Sequence, residues 1–229
     1  MPERSRLSRN RRRGRPPRDG SAQPTRERIV EQATALFAAR GIDGVSMREI
    51  AAQVGIDVSS VHHHFASKAV LYDACFARVY EHEKEALEPA VREVTRAAAE
   101  LSRSEFLASL HGLVDAFLDF LEDNPETTFL WLRRWLDPAG LTPLDKEYAL
   151  PLYTAIELAL LTATSRGLAP EPTPHVTVRS LVWAVHGHVS ALAALRDQVA
   201  LARERSEFRL YVHRFIDRLY GDPGAPGTG

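Results

Sequence analysis

The chain has 229 residues, of which 45% are apolar and 26% charged, enough to bury a sizeable core in one large or two smaller domains. No apolar run approaches the roughly 20 residues that cross a bilayer, and the first residues carry arginine where a signal peptide needs an apolar stretch, so a cytoplasmic protein with no membrane partner is expected. Cys75, the one cysteine, excludes an internal disulfide and a cysteine-based metal fold; it reads as a small buried apolar residue, and no metal or cofactor is expected.

The net charge of −1 is unevenly divided. Residues 1–24 hold eight arginines against Glu3 and Asp19, a charge of +6, which leaves −7 on the remainder. Such a block beside an oppositely biased body suggests an arm that seeks a polyanion, with double-stranded DNA the first candidate. The arm is rich in Arg, Pro, Gly and Ser and has too few apolar residues to order itself by burial. Within it, Arg12-Arg13-Gly14-Arg15-Pro16 resembles the core of an AT-hook. The glycine permits close approach to a groove floor, and the flanking arginines suit a narrow, electronegative minor groove. The alternative is a solvated tail whose arginines act by charge alone.

From Thr25 onward apolar residues fall at helical spacing and no alternating stretch of strand length occurs, which predicts an all-α body. Thr25 caps a first helix with Ile29, Ala33, Leu36 and Phe37 on one face, and Gly41 closes it. Ser46 and Glu49 form a capping box that opens a short second helix through Gln53, ended by Gly55. Asp57 caps a third through about His63, and Ser67 a fourth that runs to near Pro89.

The second and third helices are joined by Val54-Gly55-Ile56, a turn that sets helices at a steep angle. Ile50, Val54, Ile56 and Val61 supply a small core between them. Such a pair offers its second helix to the major groove. From Thr25 to about Leu71 the chain resembles the N-terminal domain of the TetR family of transcriptional regulators. The resemblance rests on Ala33-Thr34-Ala35-Leu36-Phe37, Gly41, Ser46-Met47-Arg48-Glu49-Ile50-Ala51, Val54-Gly55-Ile56 and His63-His64-Phe65-Ala66-Ser67-Lys68. It departs at Ser59, where the family usually has glycine or another small residue, and at His62, where it usually has tyrosine. The resemblance implies that Ser46 and Arg48 reach phosphate or a base edge, and that Val58, Ser59, Ser60 and His63 face the groove. It further implies that His62 replaces a phosphate-holding tyrosine and that Lys68 holds phosphate. For Ser46, capping alone is the other reading. The run His62-His63-His64 is no metal site, because neighbours on a helix point about 100° apart.

Helices are next expected from Ser104 to Asn124 and from Pro125 to about Leu136, followed by a turn over Asp137 to Pro143. A further helix from about Leu144, kinked at Pro151, reaches Ser165, and a Pro-rich stretch from Gly167 to Pro174 separates it from two more, His175 to about Ala202 and Ser206 to Tyr220. The organisation expected is a basic arm (1–24), a three-helix helix-turn-helix domain (25–71), a helical ligand-binding and dimerisation domain (72–220) and an unstructured tail (221–229).

The division into headpiece and effector domain is what the TetR resemblance implies, and Trp183-Ala184-Val185-His186-Gly187 resembles the Trp-x-x-His-Gly signature of one subset of these C-terminal domains. His111, on a stripe with Leu107, Val114 and Leu118, is expected to join Phe117, Trp131, Trp135, Trp183 and His186 in an aromatic ligand pocket; ordinary core packing is the alternative. Leu181, Val185, His188 and Leu192, with Phe208, Val212, Phe215 and Leu219, form stripes suited to a four-helix homodimer interface or to the subunit's own core. The function expected is a homodimeric DNA-binding regulator, a repressor released from a palindromic operator by a small, largely apolar effector. An architectural DNA-binding protein without ligand is the second reading. A helical enzyme using His111 and His186 lacks any nucleophile–base pair or metal spacing.

Overall fold

Side-chain caps at Ser46, Ser67, Ser102 and Asp197 open four of the described helices. A computed structural model describes residues 25–136, 143, 146–147, 150–170 and 173–221, and among these there are nine helices and no strand. They are α1 (Thr25–Arg40), α2 (Met47–Val54), α3 (Val58–His64), α4 (Lys68–Glu100), α5 (Arg103–Asp123), α6 (Pro125–Trp135), α7 (Leu150–Ser165), α8 (Pro174–Leu192) and α9 (Gln198–Tyr220). The basic arm with Arg12, Arg13, Gly14 and Arg15, nearly all of the turn expected over 137–143, the start expected near Leu144 and the tail beyond Gly221 lie outside the described residues.

The capping box forms as its spacing predicts. Ser46 Oγ accepts from Glu49 N at 3.2 Å, and Ser46 N donates to the Glu49 carboxylate at 2.8 Å. Gly41 and Gly55 end α1 and α2 at φ of 73° and 76°, a left-handed conformation that glycine adopts without steric cost. Asp57 occupies the N-cap position of α3, but its side chain makes no capping bond.

Two expected boundaries move. Pro89 does not end α4, which continues to Glu100. Pro89 is exposed, so the carbonyl it leaves unbonded can reach water, while Leu87, Val94, Ala97 and Ala98 are buried on the opposite side and hold the helix together. Pro151 is the second residue of α7 as described, and residues 143, 146 and 147 before it are also helical. The break expected at 203–205 falls at 193–197 instead. There Leu195 N returns to Leu192 O at 2.9 Å and the Asp197 carboxylate accepts from Val199 N at 3.0 Å, opening α9.

Two cores follow. Around the headpiece, Ile29, Phe37, Ile50, Val61, Phe65, Leu71 and Phe76 are joined by Leu130 and Trp131 of α6. In the body, the second half of α4 packs with α5, α7, α8 and α9 around Val94, Phe106, Leu110, Leu160, Val178 and Ile216. The boundary expected at 71/72 therefore lies within one continuous helix, α4, that belongs to both cores. Cys75 is fully buried in the first, and burial pushes its thiol up to about 12, so it is no redox sensor in the folded chain.

Candidate functional site

On α3 only Val61 faces inward, at 0% exposure; Ser59, His62 and His63 point to solvent with Val58 at the helix start and Ser60 half-buried. Spacings of three and four place Ser59, His62 and His63 on one outward face. Val61 and Phe65 anchor the helix in the headpiece core, where it packs on α2, and the Arg26 guanidinium lies 5.0 Å over the Phe65 ring. The headpiece thus fixes a short helix by one side and presents the other.

Most headpiece cations serve the fold. Arg28 donates to Val54 O at 2.8 Å, Arg40 pairs with Glu49 at 3.0 Å, and Lys68 Nζ donates to Val45 O at 3.1 Å. Arg48 is exposed. Ser46 is engaged in its cap, where its hydroxyl also donates to Glu49 at 2.8 Å. Those two Ser46 donors, and then Arg40, hold the Glu49 carboxyl down at about 2. Ser46→Ala should cost about 1 kcal/mol of stability, the usual worth of such a cap, measured by urea denaturation.

A second site lies in the body. A cavity of about 80 Å³ is enclosed by α4, α5, α7, α8 and α9, with Leu87, Leu110, Phe117, Ile156, Leu181 and Ile216 among its walls. Its walls are largely apolar, with Tyr153, Thr177 and Tyr220 among them, and Glu83 of α4 is the acidic residue in the lining. Glu83 is 5% exposed, and its carboxylate accepts from Trp131 Nε1 at 3.3 Å. Burial pushes its carboxyl up to about 7, opposed by the Trp131 hydrogen bond. Glu83 went unnoticed in the sequence because it sits in the run Glu81-His82-Glu83-Lys84-Glu85, which reads as a solvated face. The available signal was its place on the stripe Phe76, Val79, Glu83, Leu87.

Of the six residues expected to line a ligand pocket, the structure brings Phe117 alone to this cavity. Trp131 lies in the headpiece core at 2% exposure. Trp135 stacks on Trp131 at 5.7 Å and meets Trp183 at 5.0 Å, and Trp183 is 45% exposed. The buried His186 bonds Thr128 Oγ1 through Nδ1 at 3.1 Å and meets the Trp135 ring edge-on at 5.0 Å; burial holds its imidazole down at about 3, hence neutral. The rings fill the space they were expected to enclose, so Trp183 and His186 join α8 to α6. His111 turns toward α9, stacking on His213 at 4.5 Å with Nε2 3.0 Å from Asp217.

The expected dimer stripes mostly serve the subunit itself. Val185, Leu192 and Val212 are buried, Leu181 lines the cavity, Phe208 and Leu219 pack on the core, and His188 stacks on Phe208 at 3.8 Å. Phe215 is half-buried beside the exposed Leu210 and Tyr211. The other face of α8 is open, with Val176, Ser180, Trp183, Ala184, Gly187 and Ala191 exposed, and on α9 Val199, Leu210 and Tyr211 are exposed as well. No helix among the described residues is long and apolar enough to cross a membrane.

Two structural links join cavity and headpiece. Trp131, packed edge-on against Phe76 at 5.2 Å, holds Glu83 from the headpiece core. Two residues on, Arg133 donates to Ala38 O at 2.9 Å and Ala39 O at 2.7 Å at the end of α1. α6 thus touches both the cavity's one acid and the last turn of the helix that braces α2 and α3.

Residues 29–75 match the family of bacterial regulatory proteins described as the tetR family. The repressor KstR2 of Mycobacterium tuberculosis is 41% identical over 54 residues, 24% of this chain and 27% of that protein. The transcriptional regulator UidR of Escherichia coli K12 is 40% identical over 53 residues, 23% and 27% of the respective chains. Such matches span about a third or less of the relatives' length. The fold extends further. The solved structure described as the ketosteroid transcriptional regulator KstR2 aligns at a TM-score of 0.64 with 18% identity, covering 89% of this chain and 98% of that one. The TetR family regulator PfmR of Thermus thermophilus aligns at 0.56 with 22% identity, covering 89% and 100%. Both of the relatives matched by sequence, KstR2 and UidR, are described as transcriptional regulators. Residues 29–75 thus match the bacterial regulatory proteins of the tetR family, and the described residues as a whole share the fold of solved regulators of that kind.

Proposed function

We propose that this chain is a homodimeric transcriptional repressor that leaves a palindromic operator when a small, largely apolar molecule enters the cavity. The observation that carries the reading is the path from cavity to headpiece: Glu83 at the cavity wall, Trp131 in the headpiece core, and Arg133 on the end of α1. At about 80 Å³ the cavity is smaller than the roughly 300–1,000 Å³ of sites that enclose drug-sized ligands. An effector therefore enters by spreading the helices, and spreading them moves α4 and α6 together. A change in α4 direction alters the separation of the two headpieces in a dimer, and with it their match to successive major grooves.

On the DNA side, Ser59, His62 and His63 of α3 face the groove with Val58 and Ser60 at its edge. Arg48 supplies a base or phosphate contact, and Lys68 offers its remaining donors to phosphate. Arg12, Arg13, Gly14 and Arg15 of the arm follow the adjacent minor groove. Selection of bound duplexes from a random pool by the purified full-length protein should return a palindrome with half-sites about one helical turn apart. An AT-rich motif without two-fold symmetry would favour the architectural reading instead.

The partner for the open face of α8 and α9 is a second copy of the chain. Ser180, Ala184, Gly187 and Ala191 recur every three or four residues, which lets a second α8 approach closely, and Val176, Trp183, Leu210 and Tyr211 supply apolar area. Ala184→Arg should yield a folded monomer by light scattering and lower operator affinity by about 100-fold or more, since a single headpiece reads only one half-site. A variant that remains dimeric would move the interface elsewhere.

A further inference from the structure

Buried carboxylates are ordinarily paired with a cation or held by several donors. Glu83 is not arranged that way. It is 5% exposed, lines a largely apolar cavity whose other polar side chains are Tyr153, Thr177 and Tyr220, and forms no ion pair with any Lys, Arg or His among the described residues. The indole N–H of Trp131 at 3.3 Å is the hydrogen bond that holds it. Of the described side chains that line the cavity, it is the only carboxyl, and none is a Lys, Arg or His.

We propose that the cavity selects an apolar amine, with the ammonium group seated on the Glu83 carboxylate and the hydrocarbon body lying against Leu113, Phe117, Ile156 and Leu181. The inference deepens the effector reading above and rests on it. Three physical points support it. The fold has already met the cost of taking the carboxyl out of water, so the ligand need only bring its own charge in. At low effective dielectric an ammonium within about 4 Å is attracted several times more strongly than in water. A carboxylate accepts from more than one donor, so the ammonium can bind while Trp131 keeps its hydrogen bond. Because burial raises the carboxyl to about 7, it releases its proton to solvent at little cost when a cation binds at neutral pH. A carboxylate-ended ligand meets repulsion at the same point, and an alcohol gains one neutral hydrogen bond.

Calorimetric titration of the full-length protein at pH 7.5 with hexylamine, 1-hexanol and hexanoate tests this, since the three share one hydrocarbon body. Hexylamine should bind about 10-fold or more tightly than 1-hexanol, with hexanoate weakest. Glu83→Gln should abolish the preference while leaving 1-hexanol binding within about twofold. Equal affinity for amine and alcohol in the unaltered protein, or a preference for amine that survives Glu83→Gln, would overturn the inference while leaving the cavity as an effector site. Failure of all three to bind would overturn the effector reading and this inference with it. The wild-type comparison stands even if the variant folds poorly.

Discussion

Removing residues 1–20 should weaken operator binding by about 100-fold at 0.1 M salt and flatten its salt dependence. The expectation comes from where the positive charge resides. Residues 25–75 carry five cations against six acids, and Arg26, Arg28, Arg40 and Lys68 each have a partner within the headpiece. The headpiece has shape but little net attraction for phosphate, whereas the arm carries +6. Each phosphate neutralised contributes about −0.9 to the slope of log affinity against log salt, so loss of three or four contacts per arm flattens the slope by roughly 3 per subunit. Fluorescence anisotropy between 50 and 300 mM KCl measures both quantities, and an unchanged slope would place the arm off the DNA. Arg12→Ala/Arg13→Ala/Arg15→Ala against Arg4→Ala/Arg6→Ala/Arg9→Ala separates groove reading from bulk charge. Minor-groove insertion makes the first set about 10-fold more damaging, while a purely electrostatic arm makes the two sets equal.

Glu83→Gln should stabilise the protein by about 3 kcal/mol at pH 8, the second large effect. The unfolded carboxyl titrates near 4.5 and the folded one at about 7, so the native state binds the extra proton. Between those values stability falls as pH rises, and above pH 7 the full cost of burying a carboxylate is present. Glutamine keeps the shape and the hydrogen bond to Trp131 without that cost. The difference between the two proteins should vanish near pH 4, grow from about 4.5 to 7, and level off above. His186 works in the opposite direction, losing stability as pH falls from 6.5 toward about 3 because its buried ring must stay neutral. That contribution is common to both proteins and cancels in the comparison. Urea unfolding at pH 4, 6 and 8 provides the measurement; equal stability at pH 8 would mean that the carboxylate is relieved by a partner.

These two expectations reflect different sources of information. Local chemistry was legible residue by residue. Ser46 and Glu49 announced a helix start, Gly41 and Gly55 two helix ends, and Ser67 the start of α4, because caps and left-handed turns depend on residues within a few positions. The headpiece core followed from the same spacing, and the outward face of α3 from the family resemblance. Boundaries moved where the local signal was ambiguous. Pro89 reads as a stop until its neighbours on α4 are buried, and Asp197 reads as a surface charge until it caps α9.

What the sequence by itself determined is the helical class, the headpiece, and the division of charge between a +6 arm and a −7 body. What only the tertiary structure decided is which partner each apolar stripe takes. Val185 and Val212 could have faced a second subunit; they are buried in the first because α8 and α9 close against α4 and α5 on that side. Trp131, Trp135 and His186 could have ringed a pocket; they stack on one another, and the cavity opens beside Glu83 instead. Periodicity marks the face of a helix that leaves water. The element it meets there is settled only when all nine described helices compete for the same interior.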